Sequence, residues 1–266
     1  MLYMTELQDQ FFARLNLKKQ QIVRFEDLNK IISAIAYEIP FENLDIVTGN
    51  TKEISKENLQ KKILMSSRGG LCYEMNSILY YLLKDCGFDV KLALGTVYKS
   101  DLNVWALEEG HITIILNYDS VSYLADVGIA SLVPLTLVPF TGEIVTSKNG
   151  EYRVRRKDTD KGTYILERRD THSWHDPHEK IEWKVCHAFR TDPIDETTLN
   201  EVQRKVIEDE NSSFNKGPIA VKLTHSGYVS LTKDSLTQVM NGQKRKSVIT
   251  ENHYRKLLHD IFNIEM

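Results

Sequence analysis

The chain has 266 residues, 41% hydrophobic and 27% charged, with a formal net charge of -3 at pH 7. This balance fits a folded globular protein and excludes a disordered or fibrous chain. The near-neutral charge also sets up no global field that would draw in nucleic acid or an acidic membrane surface.

The opening residues lack the cationic region and apolar run of a secretion signal. No stretch approaches the roughly 20 consecutive apolar residues needed to cross a bilayer. Cys72, Cys86 and Cys186 are odd in number and widely spaced. They argue against a disulfide framework and for the reducing cytoplasm, where a thiol stays available for chemistry.

The first third reads as helical. Residues 6–15 form a short amphipathic segment, and residues 27–38 set Leu28, Ile31, Ile32, Ile35 and Ala36 on one stripe. A helix over 57–65 follows, and another opens near Cys72, with Met75, Leu79, Leu82 and Cys86 recurring on its face. Gly87 is placed to cap it in a left-handed conformation, ending the helix at Cys86. From Val90 the pattern turns to strands, expected at 90–98, 111–118, 121–127, 151–154, 164–167 and 180–186. The tail reads as a helix (195–207), a hairpin (219–231) and a last helix (251–261). The layout is a helical module, an antiparallel β module and a small mixed module.

The segment Arg68-Gly69-Gly70-Leu71-Cys72-Tyr73-Glu74-Met75-Asn76 carries the clearest chemistry. Its two glycines would let the chain turn sharply into the helix by adopting angles other residues resist. Cys72 would then sit in the first helical turn, where free amides and the helix dipole favour negative charge on sulfur. A nucleophilic cysteine needs a base, and the base an orienting acid. If Asp119-Ser120 is a two-residue hairpin loop, Tyr118 pairs with Val121, and Asp126 shares a face with His111 one diagonal away. A three-residue loop would put Asp126 on the other face. Cys72 would be the nucleophile, His111 its base and later proton donor, and Asp126 the orienter. The same residues also fit a buried core cysteine beside a tight turn, with an ordinary histidine and aspartate at strand ends.

At these residues the chain resembles the arylamine N-acetyltransferase family. The motif RGGxCxEx(N) stands as Arg68 to Asn76, and a Pro-Phe-Glu-Asn-Leu block as Pro40 to Leu44. His111 follows Cys72 by 39 positions, then come Asp126-Val127-Gly128, Pro134-Leu135 and a similar last helix at 257–264. The resemblance implies an α+β fold: an N-terminal helical bundle, a central antiparallel β-barrel and a C-terminal α/β lid around a cysteine-protease-like catalytic core. The corresponding spans are 1–90, 91–190 and 191–266. It further implies a ping-pong reaction in which acetyl coenzyme A acylates Cys72 and an aromatic amine or hydrazine takes the acetyl group, with oxygen of N-hydroxyarylamines as a related acceptor. Backbone amides at Cys72 and a neighbour would serve as oxyanion donors. Arg68 and Glu42 match a structural pair, Gly128 a cofactor contact, Ser212, Ser213 and Phe214 a segment near the cofactor, and Ile129 and Ser131 the acceptor pocket.

The sequence departs from the family pattern where Asp-x-Gly-Phe-Gly reads Asp126-Val127-Gly128-Ile129-Ala130, losing an aromatic ring and a glycine, and where Leu71 stands for an aromatic before the cysteine.

Other features are read more plainly. His172, His175 and His178 flank Trp174 and Asp176, but without a nearby thiol and with Pro177 among them they read as a polar loop, and no metal is expected. Lys244-Arg245-Lys246 reads as a solvated basic turn, with coenzyme A phosphates as the alternative. Arg153, Arg155, Arg156 and Lys157 lack the interleaved aromatics of a nucleic-acid site. The expected partners are small molecules, not nucleic acid or membrane, and the oligomeric state stays open. Three rivals remain. One is a cysteine hydrolase or transglutaminase-type enzyme that uses the same triad on another acyl substrate; its papain-like branch is disfavoured because there the histidine lies on the order of 130 residues from the cysteine. A relative that transfers a longer acyl chain is kept open by Ile129-Ala130. A non-catalytic coenzyme A binder would have no use for a triad.

Overall fold

A computed structural model describes residues 4–171 and 181–265; His172, His175 and His178 lie outside the described residues. Helix α1 (Glu6–Arg14) opens with Thr5, whose hydroxyl accepts from Gln8 N–H while the Gln8 side chain accepts from Thr5 N–H, a reciprocal cap. Helix α2 (Leu28–Glu38) buries the predicted stripe. Strand β1 (Phe41–Glu42) and helix α3 (Leu44–Thr48) lead into α4 (Lys56–Leu59). The expected helix over 57–65 widens into a π-helical turn at Gln60–Met65. Helix α5 (Cys72–Asp85) begins on the cysteine. Gly87 ends it at φ 84°, with the Gly87 and Phe88 amides donating to Lys84 and Leu83 carbonyls.

The central sheet comprises β2 (Asp89–Lys99), β3 (Val104–Trp105), β4 (His111–Tyr118), β5 (Val121–Ala125), β6 (Val138–Pro139), β7 (Val145–Ser147), β8 (Gly150–Thr159), β9 (Gly162–Arg169) and β10 (Lys184–Phe189). Their order is β6-β5-β4-β2-β10-β9-β8-β7, with β3 added on β2, every pairing antiparallel. β6 packs beside β8, so the sheet curls into a nearly closed barrel. Two expectations are corrected here. β5 leaves its ladder at Ala125, so Asp126 is free to turn inward, and the last barrel strand starts at Lys184, with residues 181–183 of the expected strand outside it.

Helix α6 (Glu196–Glu208) precedes β11 (Ile219–Thr224), β12 (Gly227–Thr232), β13 (Ser235–Met240), β14 (Gln243–Val248) and helix α7 (Glu251–Phe262). These strands form an antiparallel sheet whose first strand is β1, with Phe41 opposite Val221. Lys244, Arg245 and Lys246 lie in the edge strand β14, not in a turn. The turn is Asn241-Gly242, both left-handed, joining Met240 to Gln243. That dipeptide is the strongest short hairpin signal, and the basic run beside it obscured the strand. Charged side chains on an exposed edge discourage strand-to-strand aggregation.

The apolar interior falls into three clusters. α1, α2 and α5 pack on the barrel's helical side, Tyr152, Leu166 and Phe189 help fill the barrel, and α7 covers the C-terminal sheet through Tyr254, Leu258 and Phe262.

Candidate active site

Gly69 and Gly70 are required by close approach, not by unusual backbone angles; neither sits in the left-handed region. A Cβ on Gly69 would lie 1.7 Å from the Pro40 carbonyl oxygen, and one on Gly70 would lie 2.7 Å from Glu74 Cβ. The turn lies against β1 through hydrogen bonds from Gly70 N–H to the Pro40 carbonyl and from Glu42 N–H to the Gly70 carbonyl. A chain of charges braces it. Arg68 bridges Glu42 and Asp45, each at 2.9 Å, and Lys62 bridges Asp45 at 2.9 Å and Glu74 at 2.6 Å. Burial penalises the Lys62 charge, yet Glu74, Glu42 and Asp45 outweigh it and hold the ammonium strongly protonated. Glu74 Oε2 accepts from Leu71 N–H at 3.0 Å, fixing the entry to α5. Cys72 is thereby set as the first residue of the helix, with its Sγ 3.4 Å from the Gly110 carbonyl oxygen.

The Asp119-Ser120 loop has two residues, both left-handed (φ 47° and 64°), and pairs Tyr118 with Val121. The register expected from the sequence follows, and His111 Nε2 lies 2.7 Å from Asp126 Oδ2. Both side chains are sealed from solvent, at 1% and 0% exposure. Burial alone would drive the proton off His111. The Asp126 carboxylate, together with hydrogen bonds to Asp126 and Cys72, overrides it and holds the ring protonated well above its ordinary range. Asp126 is correspondingly held below the usual carboxylate range: burial opposes its charge, but His111, His187 and Asn76 prevail.

Two contributors were not anticipated. Asn76, one helical turn beyond Cys72, donates to Asp126 Oδ1 at 3.0 Å and to the Ile112 carbonyl at 2.6 Å, while its own oxygen accepts from Val127 N–H at 2.9 Å. Its spacing of four from Cys72 was the available signal. His187, from β10, stands beside His111 and had no local signal in the sequence. His111, Asp126 and His187 bring one donor atom each within 4.8 Å of one another. A metal there would have to displace the hydrogen bond between His111 and Asp126.

A largely apolar cavity of about 280 Å³ opens over Cys72 and His111. Its walls include Gly128, Ile129, Ala130, Ser131, Ser212, Ser213 and Phe214, so all the expected cofactor and acceptor positions meet at one opening. Asp126 stands behind His111 instead, and Arg68 and Glu42 lie beneath the turn. Gly128 owes its identity to α5: a Cβ there would lie 2.7 Å from Cys72 Cα. Ala130, where a glycine was expected, is left-handed at φ 45°. Phe41 and Phe214 contribute aromatic rings to the cavity, edge to face with centroids 5.7 Å apart. Lys244, Arg245 and Lys246 are not among its walls. The segment carrying Phe214 is clasped by Asn43, which donates to the Phe214 carbonyl at 2.7 Å and the Gly217 carbonyl at 2.9 Å and accepts from Ile219 N–H at 2.8 Å.

A family model described as N-acetyltransferase matches residues 24–266. Among solved structures, arylamine N-acetyltransferase C from Bacillus anthracis is 45% identical, with a TM-score of 0.92 over 98% of this chain and 99% of its own. An arylamine N-acetyltransferase from Bacillus cereus, described as having a unique Cys-His-Glu catalytic triad, is 48% identical with a TM-score of 0.92, covering 99% of this chain and all of its own. The acid that meets His111 here is an aspartate. An uncharacterized acetyltransferase of Bacillus subtilis is 33% identical over 98% of this chain and 100% of its own. The chain therefore belongs to the arylamine N-acetyltransferase family of acyltransferases.

Proposed function

We propose that the chain moves an acetyl group from acetyl coenzyme A to the nitrogen of an aromatic amine or hydrazine through a thioester on Cys72. The observation that carries this reading is the buried hydrogen-bonded pair of His111 and Asp126 beside Cys72, at the floor of an apolar cavity. Asp126 engages Nε2 of His111, which leaves Nδ1 for the sulfur. The Cys72 thiolate attacks the thioester carbonyl, and first-turn amides of α5 stabilise the oxyanion. Coenzyme A leaves as its thiol, taking the imidazolium proton. The amine then attacks the Cys72 thioester and gives its proton to His111, and the amide departs with the thiolate and imidazolium restored. Gly128, Ser212, Ser213 and Phe214 would face the coenzyme. Ile129 and Ser131 would face the acceptor, whose ring can stack on Phe41 or Phe214 in place of the ring absent at Ile129.

Intact mass after brief exposure to acetyl coenzyme A, without acceptor, tests the covalent step. Wild type should gain one acetyl group and Cys72→Ala none, and an aromatic amine should remove it. No gain in wild type would defeat the reading and direct the search to longer acyl thioesters.

A further inference from the structure

His187 reaches the site through two local irregularities. The pairing of β10 with β9 slips between Val185 and His187, leaving Cys186 as an extra residue. Bulges of this kind re-aim side chains beside active sites. Between β10 and β4 runs β2, which has Gly95 at the crossing point. A Cβ there would lie 3.3 Å from His111 Cδ2 and 3.5 Å from Phe189 Cβ. Without it the two histidine rings meet across the strand, with centroids 4.7 Å apart.

His187 is 0% exposed, and neither ring nitrogen has a hydrogen-bond partner among the described residues. Native proteins rarely leave a buried polar group so. The acceptor it faces is Asp126 Oδ2, 3.7 Å from Nε2. Oδ1 of that carboxylate already takes two donors, Asn76 and Gly128 N–H, while Oδ2 takes one, His111. A carboxylate accommodates about four donors. One place is open, and His187 stands before it.

We propose that His187 is a positioning residue, whose Nε2–H donates to the open site on Asp126 Oδ2 and so fixes the carboxylate that orients His111. The inference rests on the acyl-transfer reading above. At 3.7 Å the contact is slack; bonds of this kind are often long in the resting enzyme and tighten when substrate is bound. The role requires an uncharged ring, since a second cation would compete with His111 for the carboxylate. Burial, then the charge on His111, pushes His187 down to about 3, against the attraction of Asp126. Its strand partners, Val97 on β2 and Leu166 on β9, bring no titratable group.

The test compares His187→Phe, which keeps a ring but no donor, with His187→Gln, which places an N–H near Nε2. Each is first checked for a wild-type melting transition, with His187→Leu replacing a phenylalanine variant that fails it. The rate of Cys72 acylation by acetyl coenzyme A is then measured against concentration. We expect His187→Phe to lose about tenfold in maximal rate at unchanged KM, and His187→Gln to stay near wild type. A phenylalanine variant as fast as wild type, or a glutamine variant as slow as the phenylalanine one, overturns the donor role. A wild type that is not acylated overturns the acyl-transfer reading itself, a separate result.

Discussion

Replacing Asp126 with asparagine keeps its shape and removes its charge. The new amide would turn an N–H toward His111 Nε2, forcing the ring into the tautomer that cannot accept the thiol proton at Nδ1. We expect acylation of Cys72 to fall on the order of 10²–10⁴-fold, read as the burst of coenzyme A release. A fall of less than threefold would remove Asp126 from the mechanism. The pair also writes a pH signature on stability. His111 is raised from 6.5 to about 10, so its contribution is complete below 6.5 and is lost as pH rises through about 10. Asp126 is lowered from 3.8 to about 2, so its contribution is present above 3.8 and lost as pH falls through about 2. Thermal midpoints of wild type should therefore approach those of Asp126→Asn between pH 6.5 and 10. A constant gap across that window would show that the imidazolium is not held by Asp126.

At the scale of elements, the turn before α5 and the turn after β5 make opposite demands. Gly69 faces a carbonyl oxygen of the main chain, which cannot swing aside as a side chain could. Gly69→Ala should cost about 2–4 kcal/mol and lower the melting temperature accordingly. Ala130 is the reverse case, a side chain at φ 45°. Left-handed strain costs an L-residue about 1–2 kcal/mol, and glycine's extra chain entropy about 0.5–1. Ala130→Gly should therefore raise stability by about 0.5–1 kcal/mol, and a lowered midpoint would contradict this. The sequence foretold most elements because their signals are local: the α2 stripe, Gly87 after α5, and the two-residue loop that sets Asp126 on the side of His111. It misread the role of Gly69 because the Pro40 carbonyl, which leaves no room for a Cβ there, is brought up only when distant segments meet. His187 was hidden for the same reason; a bulge in its own strand β10 and a glycine in β2 bring it in. The Lys244 strand was missed despite a local signal, the Asn241-Gly242 turn, because basic composition outweighed it.

Over the whole molecule, the cavity depends on contacts between the N-terminal and C-terminal thirds. Asn43 is buried, and its side chain makes three hydrogen bonds to residues 214–219. Asn43→Ala should loosen that wall, raising the KM for acetyl coenzyme A more than it lowers the maximal acylation rate. An unchanged KM would show that the segment does not touch the coenzyme. Likewise, Tyr254, Leu258 and Phe262 of α7 cover the C-terminal sheet and share its apolar cluster with Leu44.

The pairing of Phe41 with Val221 also has a consequence for biosynthesis. A nascent chain delivers Cys72 early, but β1 waits for a strand made some 180 residues later, the separation of its paired positions. Until then the wall carrying Phe214 cannot close. The ribosome thus emits a cysteine-bearing helix long before the last of its cavity walls, at Val221, and a chain stopped short of that residue leaves the cavity open on one side.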